Sequence, residues 1–166
     1  MRIQAFIGIG SNLGDRLANC RAAIDRLGYL PGTEFVRASP FIESDPQEGV
    51  EGGRFLNAAA EIATTLPPRQ LLGHLQKIEV GLGRAADHLP RAARPMDLDL
   101  LLYGDTVICE ADLTIPHPRL AKRRFVLVPL AALDPALRHP LLQVTVAELL
   151  RRLGTEGSLL SSRITW

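Results

Sequence analysis

Apolar residues return along the chain with a period of two in some stretches and near four in others, and each change of period marks an element boundary. Residues 2–9 (RIQAFIGI) are short, apolar and partly alternating, which predicts a strand, and the GSNLGD that follows predicts a loop. From Asp15 onward Leu17, Ala18, Ile24 and Leu27 recur at helical spacing, with Gly28 near the predicted end and Pro31 beyond it. Residues 34–38 and 41–44 are short strand candidates, and DPQEGVEGG, rich in glycine and acids, predicts a mobile surface loop. In residues 54–65 Phe55, Asn57, Ala59 and Glu61 alternate with Leu56, Ala58, Ala60 and Ile62, so period two outweighs the helical preference of the alanines and predicts a strand.

Pro67 and Pro68 followed by Leu71, Leu72, Leu75 and Ile78 predict a helix ending near Gly81 or Gly83. A loop with arginines and prolines spans residues 84–95. Residues 96–103 (MDLDLLLY) predict a strand, GDT a tight turn and residues 107–109 a return strand, together a hairpin. A last amphipathic helix is predicted from about residue 144 to residue 153. This order predicts a single α+β domain over residues 1–166, a mostly antiparallel sheet with helices packed on one face.

Composition changes this picture little. With 46% hydrophobic and 22% charged residues in 166, the chain has the mix of a soluble globular domain. A formal charge of +1 gives no broad field for nucleic acid or anionic membrane, so phosphate handling has to come from local clusters. Cys20 and Cys109 lack the spacing of a zinc site or a disulfide framework, and the histidines share no ligand spacing. No apolar run reaches the roughly 18 residues of a membrane span and the start lacks signal-peptide features, so the expected compartment is the cytoplasm.

The sharpest chemical feature is Asp97-Leu98-Asp99 in an apolar strand. Residues two apart on a strand share a face, so the two carboxylates lie side by side. Like charges that close repel, and a divalent cation relieves them; hard oxygen ligands favour magnesium, completed by substrate phosphates. The competing reading is a solvated edge-strand face, which the leucines at 98, 100, 101 and 102 weaken by suggesting burial on both faces. Arg84, Arg91 and Arg94 precede the pair, and Lys122, Arg123 and Arg124 follow it, two groups of donors suited to a polyphosphate. His117 between Pro116 and Pro118 sits in a stiff extended segment. GSNLGD has neither the lysine of a Walker loop nor a three-glycine dinucleotide fingerprint, and reads as a tight turn with a capping group. The Asn57 amide suits the edge of a heterocycle and Phe55 and Phe125 suit its faces, although core packing is the ordinary fate of both phenylalanines.

Together GSNLGD, FLNAAAEIATT, LLGHLQKIEVGLGR, DLDLLLYGD, IPHPRL and RRFVLVPL closely resemble the 6-hydroxymethyl-7,8-dihydropterin pyrophosphokinase family of folate biosynthesis, up to about residue 140. The combination of R-x-x-D-L-D-L-L-L-Y-G with I-P-H-P some dozen residues later is the most specific part. The resemblance implies a compact α+β sandwich related to ferredoxin-like domains. It implies that Asp97 and Asp99 hold two magnesium ions between ATP and the pterin hydroxyl, and that Arg84 and Arg94 assist catalysis. By the same resemblance Gln76, Glu79, Arg84, Arg94, Thr114, His117 and Arg123 contact ATP, while Ser44, Phe55, Asn57 and Phe125 grip the pterin. The implied reaction is transfer of ATP's terminal diphosphate to the hydroxymethyl group with AMP as leaving group, by a monomer that takes small molecules and binds neither nucleic acid nor membrane.

The family usually carries a tryptophan followed by Gly-Pro-Arg before the DLD strand; here the segment is ADHLPRAARPMDLD, Arg91 stands at that position in an ungapped reading, and the only tryptophan is Trp166. Asp45 stands where a small apolar residue is common. These departures leave two further expectations open, a paralogue acting on a related pterin alcohol and a non-catalytic pterin or nucleotide binder.

Overall fold

Alternation decides how the strands bury. In β1 (Ile3–Ser11) Ala5, Ile7 and Ile9 point to one face and Phe6 to the other, and in β4 (Phe55–Thr64) Leu56, Ala58, Ala60 and Ile62 oppose Ala59 in the same way. The computed structural model describes residues 1–47, 49–83 and 92–154, and the backbone of 159–164. In chain order the other elements are α1 (Arg16–Gly28), β2 (Thr33–Ala38), β3 (Phe41–Ser44), α2 (Pro68–Gly81), β5 (Asp97–Tyr103), β6 (Ile108–Glu110), β7 (Leu113–Ile115), α3 (Arg124–Leu133), α4 (Val146–Leu153) and β8 (Leu159–Ile164).

The main sheet runs β5-β1-β4-β3-β8, with β2 also on β4. β1 and β4 pair antiparallel over their full common length, from Ile3↔Thr64 to Ser11↔Leu56. Along β4's other edge β2 and β3 follow one another, joined through Ser39, whose hydroxyl accepts from Ala59 N at 2.9 Å while its own N–H donates to Ala59 O at 2.8 Å. The fold class expected from the sequence is the one observed, mixed helix with an antiparallel sheet, but the helices are not confined to one face. The helices α1 and α2 cover the face of Ile7 and Leu100, whereas α3 and α4 cover the face of Phe6, Leu101 and Leu102. The reason lies in RRFVLVPLAAL, to which the sequence pattern assigned no element: it forms α3, apolar enough around its circumference to bury Val126, Leu127, Leu130 and Leu133.

Two helix starts follow their local signals. Asp15 Oδ1 accepts from Ala18 N at 3.0 Å and caps α1, and Pro68 opens α2, where the missing N–H costs nothing. The predicted hairpin is corrected. The strand after the Gly104 turn, β6, pairs with β7 and not with β5. The outer edge of β5 is already taken, since Leu98 N donates to Glu79 Oε1 at 2.7 Å and Leu101 O accepts from His117 N at 2.9 Å, so the returning chain has no free edge to join. Among the described residues no helix is long and apolar enough to cross a membrane.

A register slip frees the backbone group that anchors His117. β1 pairs Phe6 with Leu102 and Ile7 with Leu100, which leaves Leu101 unpaired on β5, and the carbonyl of Leu101 is the group that receives the His117 N–H.

Candidate active site

On the α3 face, three strands present one row: Asp97 of β5 lies opposite Gly10 of β1, which lies opposite Asn57 of β4. In the next row Asp99, Gly8 and Ala59 repeat the arrangement. Residues paired across antiparallel strands share a face, so the two glycines leave a side-chain-free strip between the acidic pair and Asn57. That strip spans two strand spacings, about 10 Å. The α3 layer does not close over it, and a cavity of about 590 Å³ remains, walled by the glycines, the acids, Ser44, Phe55, Asn57, Arg94, His117, Arg119, Arg123 and Phe125.

One end of the cavity is shaped for a flat polar ring. Asn57, 4% exposed, donates from Nδ2 to Ser44 Oγ at 2.8 Å, which orients the amide so that its Oδ1 lies beside Gly10. Phe55 and Phe125 are half-buried in the same wall.

The other end is charged. Arg94 Nη1 approaches Asp97 Oδ2 at 3.3 Å, and His117 Nε2 approaches Asp99 Oδ1 at 3.9 Å. His117 Nδ1 accepts from Arg119 N at 3.2 Å, so the proton of a neutral ring sits on Nε2, the nitrogen on the Asp99 side. Burial first, then Arg123 and Arg119, push the His117 pKa down to about 4, which keeps the ring neutral near pH 7. Arg123 stacks over Phe125, 5.4 Å from the ring centre, and its Nη2 donates to Gln47 Oε1 at 3.3 Å. Among the described residues the Nε atoms of Arg94 and Arg123 are buried without a protein acceptor, donors of the kind an anion would engage. Burial lowers Arg123 from a value so high that the guanidinium stays charged.

Of the residues singled out in the sequence, Ser44, Phe55, Asn57, Arg94, Asp97, Asp99, His117, Arg123 and Phe125 line this one cavity. Gln76, Glu79 and Thr114 do not. Gln76 is exposed on α2, and Thr114 on β7 bonds to Glu110 O at 3.4 Å. Glu79, 7% exposed, bonds the backbone between the two aspartates through Leu98 N and so holds the edge strand that carries them. Arg84 and Arg91 lie outside the described residues, as does Trp166. Lys122 is exposed, and Arg124 turns to the carbonyl of Gly154. Gly8, Gly10, Arg119 and Gln47 were not picked out from sequence; two glycines at alternate positions of a strand were the available signal for the first pair. Asp45, in place of the small apolar residue common at its position, has a partner: its Oδ1 accepts from Arg54 Nε at 2.9 Å across the neck of the loop.

Comparison with known proteins adds to this geometry. Residues 6–135 match the family model described as 7,8-dihydro-6-hydroxymethylpterin-pyrophosphokinase. A 2-amino-4-hydroxy-6-hydroxymethyldihydropteridine pyrophosphokinase of Pseudomonas aeruginosa is 40% identical over 137 residues, 82% of this chain and 84% of that protein. The Haemophilus influenzae protein of the same name is 38% identical, covering 90% of this chain and 92% of its own. A folate synthesis bifunctional protein of Arabidopsis thaliana is 42% identical over 78% of this chain, which spans only 27% of that protein. A Plasmodium falciparum HPPK-DHPS crystal structure superposes with a TM-score of 0.76 at 15% identity, over 92% of this chain and 44% of that one, a likeness of fold.

Proposed function

Since the chain belongs to the 7,8-dihydro-6-hydroxymethylpterin-pyrophosphokinase family, we propose that its cavity holds the pterin at the Asn57 end and the phosphates of ATP at the Asp97 end. The enzyme is a pyrophosphokinase of folate biosynthesis, transferring diphosphate from ATP to the hydroxymethyl group of 6-hydroxymethyl-7,8-dihydropterin. The observation that carries the assignment of sites is the row Asp97, Gly10, Asn57: a reader of a heterocycle's edge faces a carboxylate pair across a bare strip about 10 Å wide, room for a ring and its exocyclic alcohol.

Each side chain then has a task. Asn57, its amide held by Ser44, offers Oδ1 to N–H groups on the pterin edge, and Phe55 and Phe125 take its two faces. Arg94, Arg119 and Arg123 receive phosphate oxygens, the first and last using buried Nε donors that have no other partner among the described residues. Neutral His117 donates from Nε2 to a further phosphate oxygen without adding a charge that would compete with the acids. Asp97 and Asp99, two adjacent carboxylates with solvent access, are the hard oxygen donors that magnesium prefers, and they leave most of its coordination positions to phosphates and water. Two such ions would neutralise charge that develops on the phosphates during transfer. Glu79 keeps the acids in register by holding the backbone between them. Bringing both substrates to one wall lets the hydroxyl oxygen attack the β-phosphorus in line as its bond to the oxygen of AMP breaks. Gln76, Thr114 and Arg84 remain proposed nucleotide contacts on the family resemblance alone.

The whole of residues 1–166 is read as one domain acting as a cytoplasmic monomer; its continuous sheet with a helical layer on each face supports the first of these. The test is direct. The protein incubated with ATP, magnesium and 6-hydroxymethyl-7,8-dihydropterin yields AMP and the pterin diphosphate in equal amounts. Turnover of a different pterin alcohol only would move the chain to a paralogous activity, and binding of both ligands without AMP would make it a binder.

A further inference from the structure

The GSNLGD turn does more than cap a helix. Asp15 supplies the cap, but Asn12, 5% exposed, reaches two other segments at once. Toward the strand of the acids, its backbone N–H donates to Arg94 O at 3.2 Å and its Oδ1 accepts from Arg94 N at 2.8 Å, which prolongs the β1–β5 pairing past Gly10↔Asp97. Toward β4, its Nδ2 donates to Glu51 O at 2.8 Å and lies 3.5 Å from Gly53 O. Gly52, between them at φ +101°, is bare where a methyl would stand 2.7 Å from Asn12 Nδ2 and 2.9 Å from Ala93 Cβ. The turn therefore needs glycine for its backbone and for its closeness to Asn12.

We propose that Asn12 is a positioning residue that sets the two halves of the cavity relative to one another. Its carbonyl oxygen fixes Arg94, which reaches Asp97 on one side. Its amide nitrogen fixes the Glu51–Gly53 turn, which enters β4 two residues before Phe55 on the other. Asn12 touches neither proposed substrate position and is absent from the cavity wall. A side chain with one donor group and one acceptor group is what this task requires, because each neighbour presents only the complementary backbone atom. Aspartate lacks the donor half of it. The inference rests on the proposed function for which ligand lies on which side.

Substitutions separate the two halves. Asn12→Asp keeps the acceptor for Arg94 N and replaces the donor to Glu51 O with a repelling oxygen; Asn12→Ala removes both. Gly52→Ala strikes the same contact from the turn. Each variant is titrated by calorimetry with magnesium and a non-transferable ATP analogue, and separately with 6-hydroxymethyl-7,8-dihydropterin, with folding checked by thermal melting. Asn12→Asp weakens the pterin about 10-fold, the scale of one broken buried hydrogen bond, and the nucleotide less than about 3-fold; Gly52→Ala, whose methyl also presses on Ala93 beside Arg94, weakens the pterin at least as much. Asn12→Ala weakens both ligands. The double variant Asn12→Asp with Gly52→Ala loses less pterin affinity than the sum of the two singles, because both strike the Asn12 contact. Wild-type affinities in folded Asn12→Asp and Gly52→Ala, equal losses for both ligands in Asn12→Asp, or additive effects overturn the proposal. If Asn12→Ala does not fold, the other two variants still decide. A wild-type protein that binds neither ligand overturns the proposed function itself, and this inference with it.

Discussion

Asp97 and Gly10 stand directly opposite one another on adjacent antiparallel strands, and the absent side chain of Gly10 opens the line between that carboxylate and Asn57 one strand further on. A methyl built on Gly10 meets Asn57 Oδ1 at 3.5 Å and Phe55 Cδ1 at 3.6 Å, ordinary contact distances. Gly10→Ala therefore folds with unchanged or slightly higher stability, since a strand alanine restricts the unfolded chain. The methyl occupies space at the proposed pterin position. We expect pterin KM to rise about 10-fold or more, an effect on the scale of a lost buried contact, and Tm to hold. Steady-state kinetics beside a thermal melt checks both.

Asp97→Asn and Asp99→Asn each lower AMP production by several orders of magnitude, because each removes a proposed metal ligand at the centre of charge development. Stability without ligand distinguishes them. Asp99 faces a neutral His117 and is drawn to Arg123, so Asp99→Asn trades that attraction for relief of the repulsion with Asp97 and holds Tm. Asp97 has Arg94 at 3.3 Å, so Asp97→Asn gives up a partly exposed ion pair worth at most about 1 kcal/mol and gains the same relief. Unfolding of both apo variants, or near-normal AMP yield in magnesium, would make the pair structural.

Asn57→Ala leaves the Ser44 hydroxyl without its donor and takes from the pterin edge its proposed acceptor. Pterin affinity falls by a factor corresponding to about 1–3 kcal/mol while the nucleotide affinity is little changed. Calorimetric titration of each ligand reads the difference, and equal losses would mean Asn57 only supports the fold.

Arg123→Ala removes a buried donor from the proposed phosphate end and the stacking partner of Phe125. ATP KM rises about 10-fold or more, the scale of one charge-assisted hydrogen bond, and pterin affinity changes less. A larger loss on the pterin side would place Arg123 with the ring.

The neutral His117 has a signature in acid. Its folded pKa, about 4, lies below the ordinary 6.5, so between these values the unfolded chain binds a proton that the folded one refuses. Stability is unaffected above pH 6.5 and falls as pH drops from there toward 4. His117→Gln flattens part of that fall in the ligand-free protein; His139, also held low by burial, retains the rest. Denaturant titrations at pH 7 and pH 5 show a smaller difference for His117→Gln than for wild type.

The period of two placed Asp97 beside Asp99 and Asn57 beside Phe55 from sequence alone, because the pleat dictates which residues of one strand share a face. The family motifs then joined the two segments, something periodicity cannot do. What no local pattern contains is which strands become neighbours. That Gly10 lies between Asp97 and Asn57 follows from the antiparallel registers of β1 with β4 and β5, set by packing α1 and α2 on one face and α3 and α4 on the other. The unpaired Leu101 carbonyl that receives His117 arises from a slip in one of those registers, and Glu79 on the edge of β5 depends on where α2 docks. The hairpin expected after Tyr103 failed for the same reason: a turn fixes that the chain reverses, but the edge it joins is decided by what other segments already occupy. The sequence by itself determined the chemistry available at each position, since residue type and strand period are local properties. Only the tertiary structure decided which of those groups meet, since hydrogen-bond partners and buried faces are shared among elements distant along the chain.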